Sequence, residues 1–247
     1  MIKVLGVIPA RYGSTRFPGK VLAPVNGKPM VQVVWEQAKK AKKLDQLVVA
    51  TEDQKVAEVV RRFGGDARIT ARDLTSGTDR VWQVAKVIPS QIVLNIQGDE
   101  PLLQPEMIDS LVQGLDESPI AEMATLKVPM NVLEGYSNPN IVKVVTDQAG
   151  WVLYFSRSPI PARKDDRGEA LVWYKHIGLY AYRRSCLEQF VNWPPSSLEK
   201  MEGLEQLRAM EHGVRILALD APADTVAVDT PEDLKRVEMI MKKAAVS

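Results

Sequence analysis

The chain has 247 residues, of which 45% are hydrophobic and 26% charged, and this is enough for one large α/β domain or a domain with a substantial insertion. Its formal net charge of +1 gives no general attraction to nucleic acid or to a membrane surface, so we expect neither partner and assign any positive potential to a local site. A single cysteine excludes an internal disulfide, and one cysteine with two histidines forms no structural zinc cluster, so any bound metal should have oxygen ligands.

Strands and helices alternate along the first half of the chain. Apolar runs predict buried strands at 3–8, 47–50, 92–96 and 121–128, and helical spacing predicts helices from near Pro29 and over 56–63, 81–88 and 107–115. This βαβ order is typical of an α/β fold with a mainly parallel sheet. No run approaches the roughly 18 apolar residues of a membrane span, and no leader-like segment opens the chain, so we expect a cytoplasmic protein.

The middle of the chain breaks this rhythm. Residues 141–155 read as a hairpin with a turn at 147–150, and a Tyr-rich strand follows at 177–182. We interpret residues of about 129–182 as a β-rich insertion in a single domain of 1–247, and expect it to pair with a second copy in a homodimer. The alternative is an extra sheet packed on its own core. A terminal helix then begins with Thr230 as N-cap and Pro231 at its first position.

A basic, glycine-containing loop follows the first predicted strand. Gly13 and Gly19 let a backbone approach a ligand, and Arg11, Arg16 and Lys20 offer charge-assisted donors to phosphate oxygens. Ligands of open α/β sheets collect at the carboxyl ends of the strands, where this loop lies. The loop therefore predicts a phosphate-binding site; the alternative is a basic surface connection. It is not a P-loop, because valine follows Lys20.

Two carboxylates also follow predicted strands. Asp99 ends an apolar strand at the same expected edge, and magnesium often combines one or two carboxylates with substrate phosphates, so Asp99 is a candidate magnesium ligand. Asp229 lies between a short strand and the terminal helix, where helix capping and metal binding are both reasonable roles. Similarly, Thr75 to Arg80 offers backbone and hydroxyl donors to a base or sugar, or simply caps the next helix.

Seven segments in chain order resemble the CMP-KDO synthetase family, the 3-deoxy-manno-octulosonate cytidylyltransferases, almost from end to end. They are IPARYGSTRFPGK, SGTDR, NIQGDEPL, YFSRSPIP, KHIGLYAYR, LEQLR and VDTPEDL. The resemblance implies a Rossmann-like, GT-A-like nucleotidyltransferase fold with a mixed, mainly parallel sheet, and a homodimer. It also implies Mg²⁺-dependent transfer of CMP from CTP to the sugar acid KDO, with release of pyrophosphate, in lipopolysaccharide synthesis.

The resemblance also implies roles for individual residues. Lys20, Arg11, Asp99 and Asp229 would be catalytic, with Asp99 and Asp229 holding Mg²⁺. The nucleotide would be bound by Pro9, Ala10, Arg11, Arg16, Lys20, Ser76, Gly77 and Arg80. The sugar acid would be bound by Gln97, Arg157, His176, Tyr180, Glu202 and Glu205.

Several of these sugar-site residues have simpler interpretations. Arg157 is the best carboxylate partner, but it also suits a surface or dimer salt bridge. His176 suits a neutral, hydrogen-bonded residue of the sheet. Glu202 and Glu205, three residues apart, are expected to share the solvated face of a helix that buries Met201, Leu204 and Leu207.

Two other functions remain open at this point. A cytidylyltransferase for another acidic sugar, such as an amino-substituted octulosonate or a sialic acid, would share the basic loop and the Asp-bound metal. A catalytically silent nucleotide-binding regulator would keep the fold, but the intact Lys20, Asp99 and Asp229 argue against it.

Overall fold

Eleven strands and eight α-helices are found in the computed structural model, which describes residues 2–13, 17–130, 133, 135–162 and 172–244. The strands are β1 (Ile2–Pro9), β2 (Pro24–Val25), β3 (Lys28–Pro29), β4 (Gln46–Thr51), β5 (Asp66–Ile69), β6 (Ser90–Asn95), β7 (Met123–Met130), β8 (Lys143–Thr146), β9 (Val152–Ser156), β10 (Trp173–Arg183) and β11 (Ile216–Asp220). The helices are α1 (Met30–Ala38), α2 (Gln54–Arg62), α3 (Gly77–Val87), α4 (Pro105–Glu117), α5 (Arg184–Asn192), α6 (Ser197–Glu202), α7 (Gln206–Glu211) and α8 (Pro231–Ala244).

The chain forms two compact units, one of residues 1–109 and 225–247 and the other of residues 110–224. In the first unit, β1 pairs in parallel with both β4 and β6, and β4 pairs in parallel with β5. The strands β1, β4 and β6 bury most of their residues, as expected for strands of a parallel sheet covered on both faces. These pairings place Pro9, Thr51 and Asn95 at one common edge.

The last segment of the chain belongs to the first unit. Val228 and Val237 pack in a cluster with Val25, Met30 and Val33, all of them buried. This packing holds the beginning of α8 against the segment that follows the basic loop. The predicted terminal helix, with Pro231 first, is therefore confirmed.

The second unit has a mixed sheet. β7 pairs in parallel with β11 and antiparallel with β10, and β8 pairs antiparallel with β9 and β10. The predicted hairpin is confirmed: Gly150, at φ 86°, closes the turn between β8 and β9, and its N–H donates to the Asp147 carbonyl at 3.1 Å. This unit contains the predicted insertion of about 129–182.

The expected helical face at Glu202 and Glu205 is wrong. Helix α6 ends at Glu202, because Gly203 adopts the left-handed conformation at φ 62° and its N–H donates to the Glu199 carbonyl at 2.7 Å. The two glutamates therefore lie on either side of a break between α6 and α7. Met201, expected to be buried, is 83% exposed, whereas Leu204 and Leu207 are buried as expected.

Candidate active site

Lys20, Asp99 and Asp229 meet in the first unit, although they are far apart in the sequence. The Lys20 Nζ lies 2.5 Å from Asp99 Oδ2 and 2.9 Å from Asp229 Oδ1, and it donates to the Val228 carbonyl at 3.1 Å. Burial opposes the charge of this ammonium, but the two carboxylates outweigh that effect, so the pKa of Lys20 is raised. Lys20 is thus a permanent cation that joins two carboxylates.

Neighbouring elements fix this cluster. Lys20 begins a short 3₁₀ helix after Gly19, whose φ of 71° suits glycine and whose N–H donates to the Tyr12 carbonyl at 3.0 Å. The Val228 N–H donates to the Asp99 carbonyl at 2.9 Å, which sets the two carboxylate-bearing segments side by side. The backbone therefore places the two carboxylates beside the Lys20 ammonium.

Two neighbours of Asp229 cap α8. They are Thr230, whose Oγ1 accepts from the Asp233 N–H at 3.2 Å, and Asp233, whose Oδ2 accepts from the Thr230 N–H at 2.9 Å. This reciprocal pair is a capping box. Of the two roles that the sequence left open for Asp229, capping is therefore performed by its neighbours, and its carboxylate is directed to Lys20.

The predicted nucleotide-binding segments come close together at the end of β1. A Cβ added to Gly98 would lie 3.0 Å from the Pro9 carbonyl oxygen, and one added to Gly77 would lie 3.6 Å from Pro9 Cγ. Ser76 caps α3 through a capping box with Asp79, so the predicted capping role of this segment is confirmed. The backbone at Ala10 is fixed by a bond to the Ala50 carbonyl at 2.8 Å.

Arg80 is buried at 4% exposure and held by the chain itself. Its Nη2 lies 3.1 Å from Glu52 Oε2, and its Nη1 donates to the Thr70 hydroxyl. Glu52 Oε1 in turn accepts from the Tyr12 N–H at 3.1 Å, which links Arg80 to the basic loop. Glu52 was missed in the sequence, although it follows β4 as Asp99 follows β6, and the same strand-edge rule would have selected it.

The remaining predicted residues of this unit differ in setting. Arg11 is exposed at the beginning of the basic loop, and Gln97 is half-buried with its amide 3.3 Å from Asn95 Oδ1. Arg16 lies outside the described residues. The exposed Arg11 guanidinium is therefore available to an anionic ligand at the same edge as Lys20.

In the second unit, the Arg157 guanidinium donates hydrogen bonds to three backbone carbonyls. Its Nε donates to the Glu202 carbonyl at 2.7 Å, its Nη1 to Pro139 at 2.9 Å and its Nη2 to Gly203 at 3.3 Å. The Glu202 carboxylate is itself engaged, accepting from the Ser156 hydroxyl at 2.6 Å and from the Arg157 N–H at 2.9 Å. Glu202 thus holds the chain at Arg157, a contact that the sequence did not predict.

His176 and Tyr180 flank an irregularity in β10. The register against β7 shifts between Ile177 and Tyr180, and the Thr125 hydroxyl fills the shift, lying 3.2 Å from the Ile177 carbonyl and 3.0 Å from that of Leu179. The same hydroxyl lies 3.0 Å from His176 Nε2. The Thr125 hydroxyl therefore lies within hydrogen-bond distance of the His176 ring and of two carbonyls, and it ties the ring to the shifted part of β10.

Burial keeps both rings neutral. Burial, with a smaller effect from Lys175, lowers the pKa of His176 to about 3, and burial together with Glu205 raises the pKa of Tyr180 well above its ordinary value. The rings lie 5.4 Å apart between centroids. They can therefore offer neutral hydrogen-bonding groups but no charge. The neutral, hydrogen-bonded interpretation of His176 matches these contacts.

Glu205 lies at the beginning of α7, with its carboxylate 3.9 Å from the Arg208 guanidinium. Its side chain is 35% exposed, so this ion pair is solvated and weak.

Cys186 is buried, and burial raises the pKa of its thiol to about 12, as expected for a packing residue rather than a nucleophile.

The donor set at Lys20 fits a hard divalent cation. Asp99 and Asp229 supply carboxylate oxygens that meet at one ammonium position, and magnesium prefers such ligands. Within the described part of the chain, no group of three or more His, Cys, Asp or Glu side chains could hold a metal. A magnesium ion held by these two carboxylates would take its remaining ligands from other oxygens, such as those of water or of a substrate phosphate.

Comparison with known proteins defines the class. The sequence pattern of the cytidylyltransferase family matches residues 5–216, and the chain belongs to that family. Among solved structures, a cytidylyltransferase from Leptospira borgpetersenii has the same fold, with a TM-score of 0.65 at 20% identity over 98% of this chain and 88% of that one. The predicted α/β nucleotidyltransferase fold is confirmed.

More similar relatives point to one branch of the family. A 3-deoxy-manno-octulosonate cytidylyltransferase of Geobacter sulfurreducens is 47% identical over 96% of this chain and 98% of the relative, and one of Syntrophobacter fumaroxidans is 48% identical over 99% of both. A solved CMP:2-keto-3-deoxy-manno-octonic acid synthetase in complex with CTP has a TM-score of 0.93 at 41% identity, covering 98% of this chain and 99% of that one.

Among the described residues, no helix is long and apolar enough to span a bilayer.

Proposed function

We propose that this chain transfers CMP from CTP to 3-deoxy-D-manno-octulosonate (KDO), forming CMP-KDO and pyrophosphate for lipopolysaccharide synthesis. The observation that carries the proposal is the convergence of Lys20, Asp99 and Asp229 at the edge where the basic loop begins. The full-length similarity to relatives with this name supports the choice of substrates.

On the nucleotide side, Arg11, Arg16 and Lys20 hold the triphosphate, and Arg80, Ser76 and Gly77 shape the cytidine site with Pro9 and Ala10. All three N–H bonds of Lys20 are engaged with the chain, so a phosphate oxygen must replace one of its acceptors. Arg80 is bound to Glu52 and Thr70, and Glu52 also accepts from the Tyr12 N–H. Arg80 therefore helps to position the basic loop as well as contacting the nucleotide directly.

Asp99 and Asp229 would hold Mg²⁺, which would supply charge neutralisation for the α-phosphate and the pyrophosphate leaving group and would make the attacking hydroxyl more acidic. The anomeric hydroxyl of KDO attacks the α-phosphorus in line and loses its proton to solvent, and the bond from that phosphorus to the bridging oxygen of pyrophosphate breaks. The residues of the chain position the reactants and form no covalent intermediate.

On the sugar side, Arg157 binds the carboxylate of KDO, and Gln97, His176, Tyr180, Glu202 and Glu205 bind or position its hydroxyl face. Arg157 supports this role because, within the described residues, no carboxylate lies in ion-pair distance of its guanidinium. His176 supports it because burial keeps its ring neutral, and a neutral imidazole can hydrogen-bond a sugar hydroxyl without adding charge.

The protein acts as a cytoplasmic homodimer through its β-rich insertion of about residues 129–182. Leu153 on β9 and Val172 beside β10 support this proposal, because they are 59% and 47% exposed. Apolar side chains on a sheet are suited to an interface between two copies.

Pyrophosphate release tests this function. The purified protein is incubated with Mg²⁺ and each nucleoside triphosphate, with and without KDO. We expect release that needs KDO and is selective for CTP. Release with another sugar acid alone would keep the reaction and replace the substrate, and CTP binding without release from any sugar acid would identify a regulator instead.

A further inference from the structure

Lys143, on β8, is a fully buried lysine, and within the described parts of the chain its ammonium binds backbone carbonyls alone. Its Nζ donates to Asn138 at 3.0 Å, to Ile141 at 2.7 Å and to Arg157. An ammonium has three N–H bonds, so these acceptors saturate it. Burial lowers its pKa, with Glu202 opposing and Arg157 reinforcing that effect. Burying such a group is costly, so its three contacts must stabilise a defined arrangement of the chain.

The three carbonyls lie on the two segments that control Arg157. One belongs to Arg157 itself. The other two flank Pro139, whose carbonyl accepts from Arg157 Nη1 at 2.9 Å. Lys143 therefore fixes both the backbone from which Arg157 projects and one of the acceptors that orient its guanidinium.

The orientation of Arg157 leaves a fork of donors. Carbonyls of the chain take the Nε–H, one N–H of Nη1 and one of Nη2. A guanidinium has five N–H bonds, so these three contacts leave one on each terminal nitrogen. Donors on the two terminal nitrogens of one planar guanidinium suit the two oxygens of a carboxylate. A small rotation of the guanidinium would spoil this match.

We propose that Lys143 is a positioning residue for binding of the sugar acid, because it locks Arg157 in the orientation that presents this fork to a carboxylate. The inference rests on the proposed function, in which Arg157 binds that carboxylate. Lys143 itself has no donor left for the substrate, so it acts only through Arg157.

The test compares steady-state kinetics of wild type, Lys143→Met, Arg157→Ala and the double variant. We expect Lys143→Met to raise KM for KDO by about tenfold or more, because a displaced charged hydrogen bond costs at least that much, and to leave KM for CTP within about twofold. In the Arg157→Ala background, Lys143→Met should raise KM for KDO no further, because the residue through which it acts is gone.

Arg183→Met is the matched control. Arg183 also binds three carbonyls of this unit, those of Leu115, Ser118 and Ala121, and these lie outside the segments that bind Arg157. This variant should lower Tm and leave KM for KDO unchanged. If Lys143→Met does not fold, Lys143→Gln keeps two donors and replaces it in the comparison.

Three results decide the matter. An unchanged KM for KDO in the folded Lys143 variant overturns the inference, and so does an undiminished effect in the Arg157→Ala background. A wild-type protein that releases no pyrophosphate with KDO overturns the proposed function instead, before any variant is compared.

Discussion

Replacing Asp229 by asparagine separates metal binding from helix capping at the beginning of α8. The substitution keeps the shape of the side chain and removes its charge. Asp233→Asn, four residues later, makes the same chemical change in the residue that forms the capping box. Both variants therefore lose one carboxylate charge, the first beside Lys20 and the second in the helix cap.

The structure gives different magnitudes for the two changes. Asp229 contacts Lys20 at 2.9 Å but is 37% exposed, and Lys20 keeps its bonds to Asp99 and to Val228, so the stability loss should be about 0.5 kcal/mol. Asp233→Asn loses a charge at a helix N-terminus, worth about 0.3–1 kcal/mol, or roughly 1–4 °C in Tm. Loss of one metal carboxylate should lower kcat by about 100-fold or more, equivalent to several kcal/mol of transition-state stabilisation.

Pyrophosphate release over a range of Mg²⁺ concentrations, together with thermal unfolding, measures both effects. We expect Asp229→Asn to lose activity and to require more Mg²⁺, while Asp233→Asn keeps its rate and loses stability. A normal rate and Mg²⁺ dependence in Asp229→Asn would refute the metal assignment. Equal loss of activity in both variants would show that the helix start, and not the carboxylate, matters.

Three other predictions concern Asp99, Arg157 and His176. Asp99→Ala should lower kcat by at least about 100-fold at saturating substrates, and wild-type turnover would contradict its role. Arg157→Ala should raise KM for KDO by about 10- to 100-fold and change KM for CTP little; equal effects on both substrates would point to a general distortion. His176 has a folded pKa of about 3 against an ordinary 6.5, so unfolding takes up a proton below pH 6.5. The stability it contributes is complete above that pH and is lost as pH falls towards 3, by up to about 1.4 kcal/mol per pH unit. Tm measured between pH 7.5 and 5 should therefore fall more steeply in wild type than in His176→Gln, and parallel curves would contradict this account.

Local patterns predicted most of the regular elements. The buried strands β1, β4 and β6 have continuous apolar runs, and α8 begins with a clear capping signal in Thr230 and Pro231. Strand β5 was missed because Asp66 and Arg68 interrupt its four residues, and only its pairing with β4 identifies it. Strand β11 had an apolar run that the same rule would have selected.

Site residues that follow the carboxyl end of a strand were predictable from the sequence, whereas residues in turns were not. Asp99 follows from the strand-edge rule alone, whereas the assignment of Asp229 needed the family resemblance, because a carboxylate beside the predicted N-cap Thr230 suits helix capping as well as metal binding. The role of Glu202 was not predictable, because a left-handed Gly203 ends its helix and turns its carboxylate towards Arg157. Lys143 lay in a strand pattern, and only its contacts distinguish it from an ordinary buried strand residue.

The first unit is built from both ends of the chain, with residues 110–224 synthesised between its two parts. Lys20 and Asp99 are made early, but Asp229 lies 209 positions after Lys20. During translation, the acidic pair therefore cannot assemble until almost the whole chain has left the ribosome, and the closing of so long a loop delays the final step of folding. A nascent chain that has folded its second unit still lacks Asp229, so the order of synthesis makes the pairing of Lys20 with Asp229 a late event in folding.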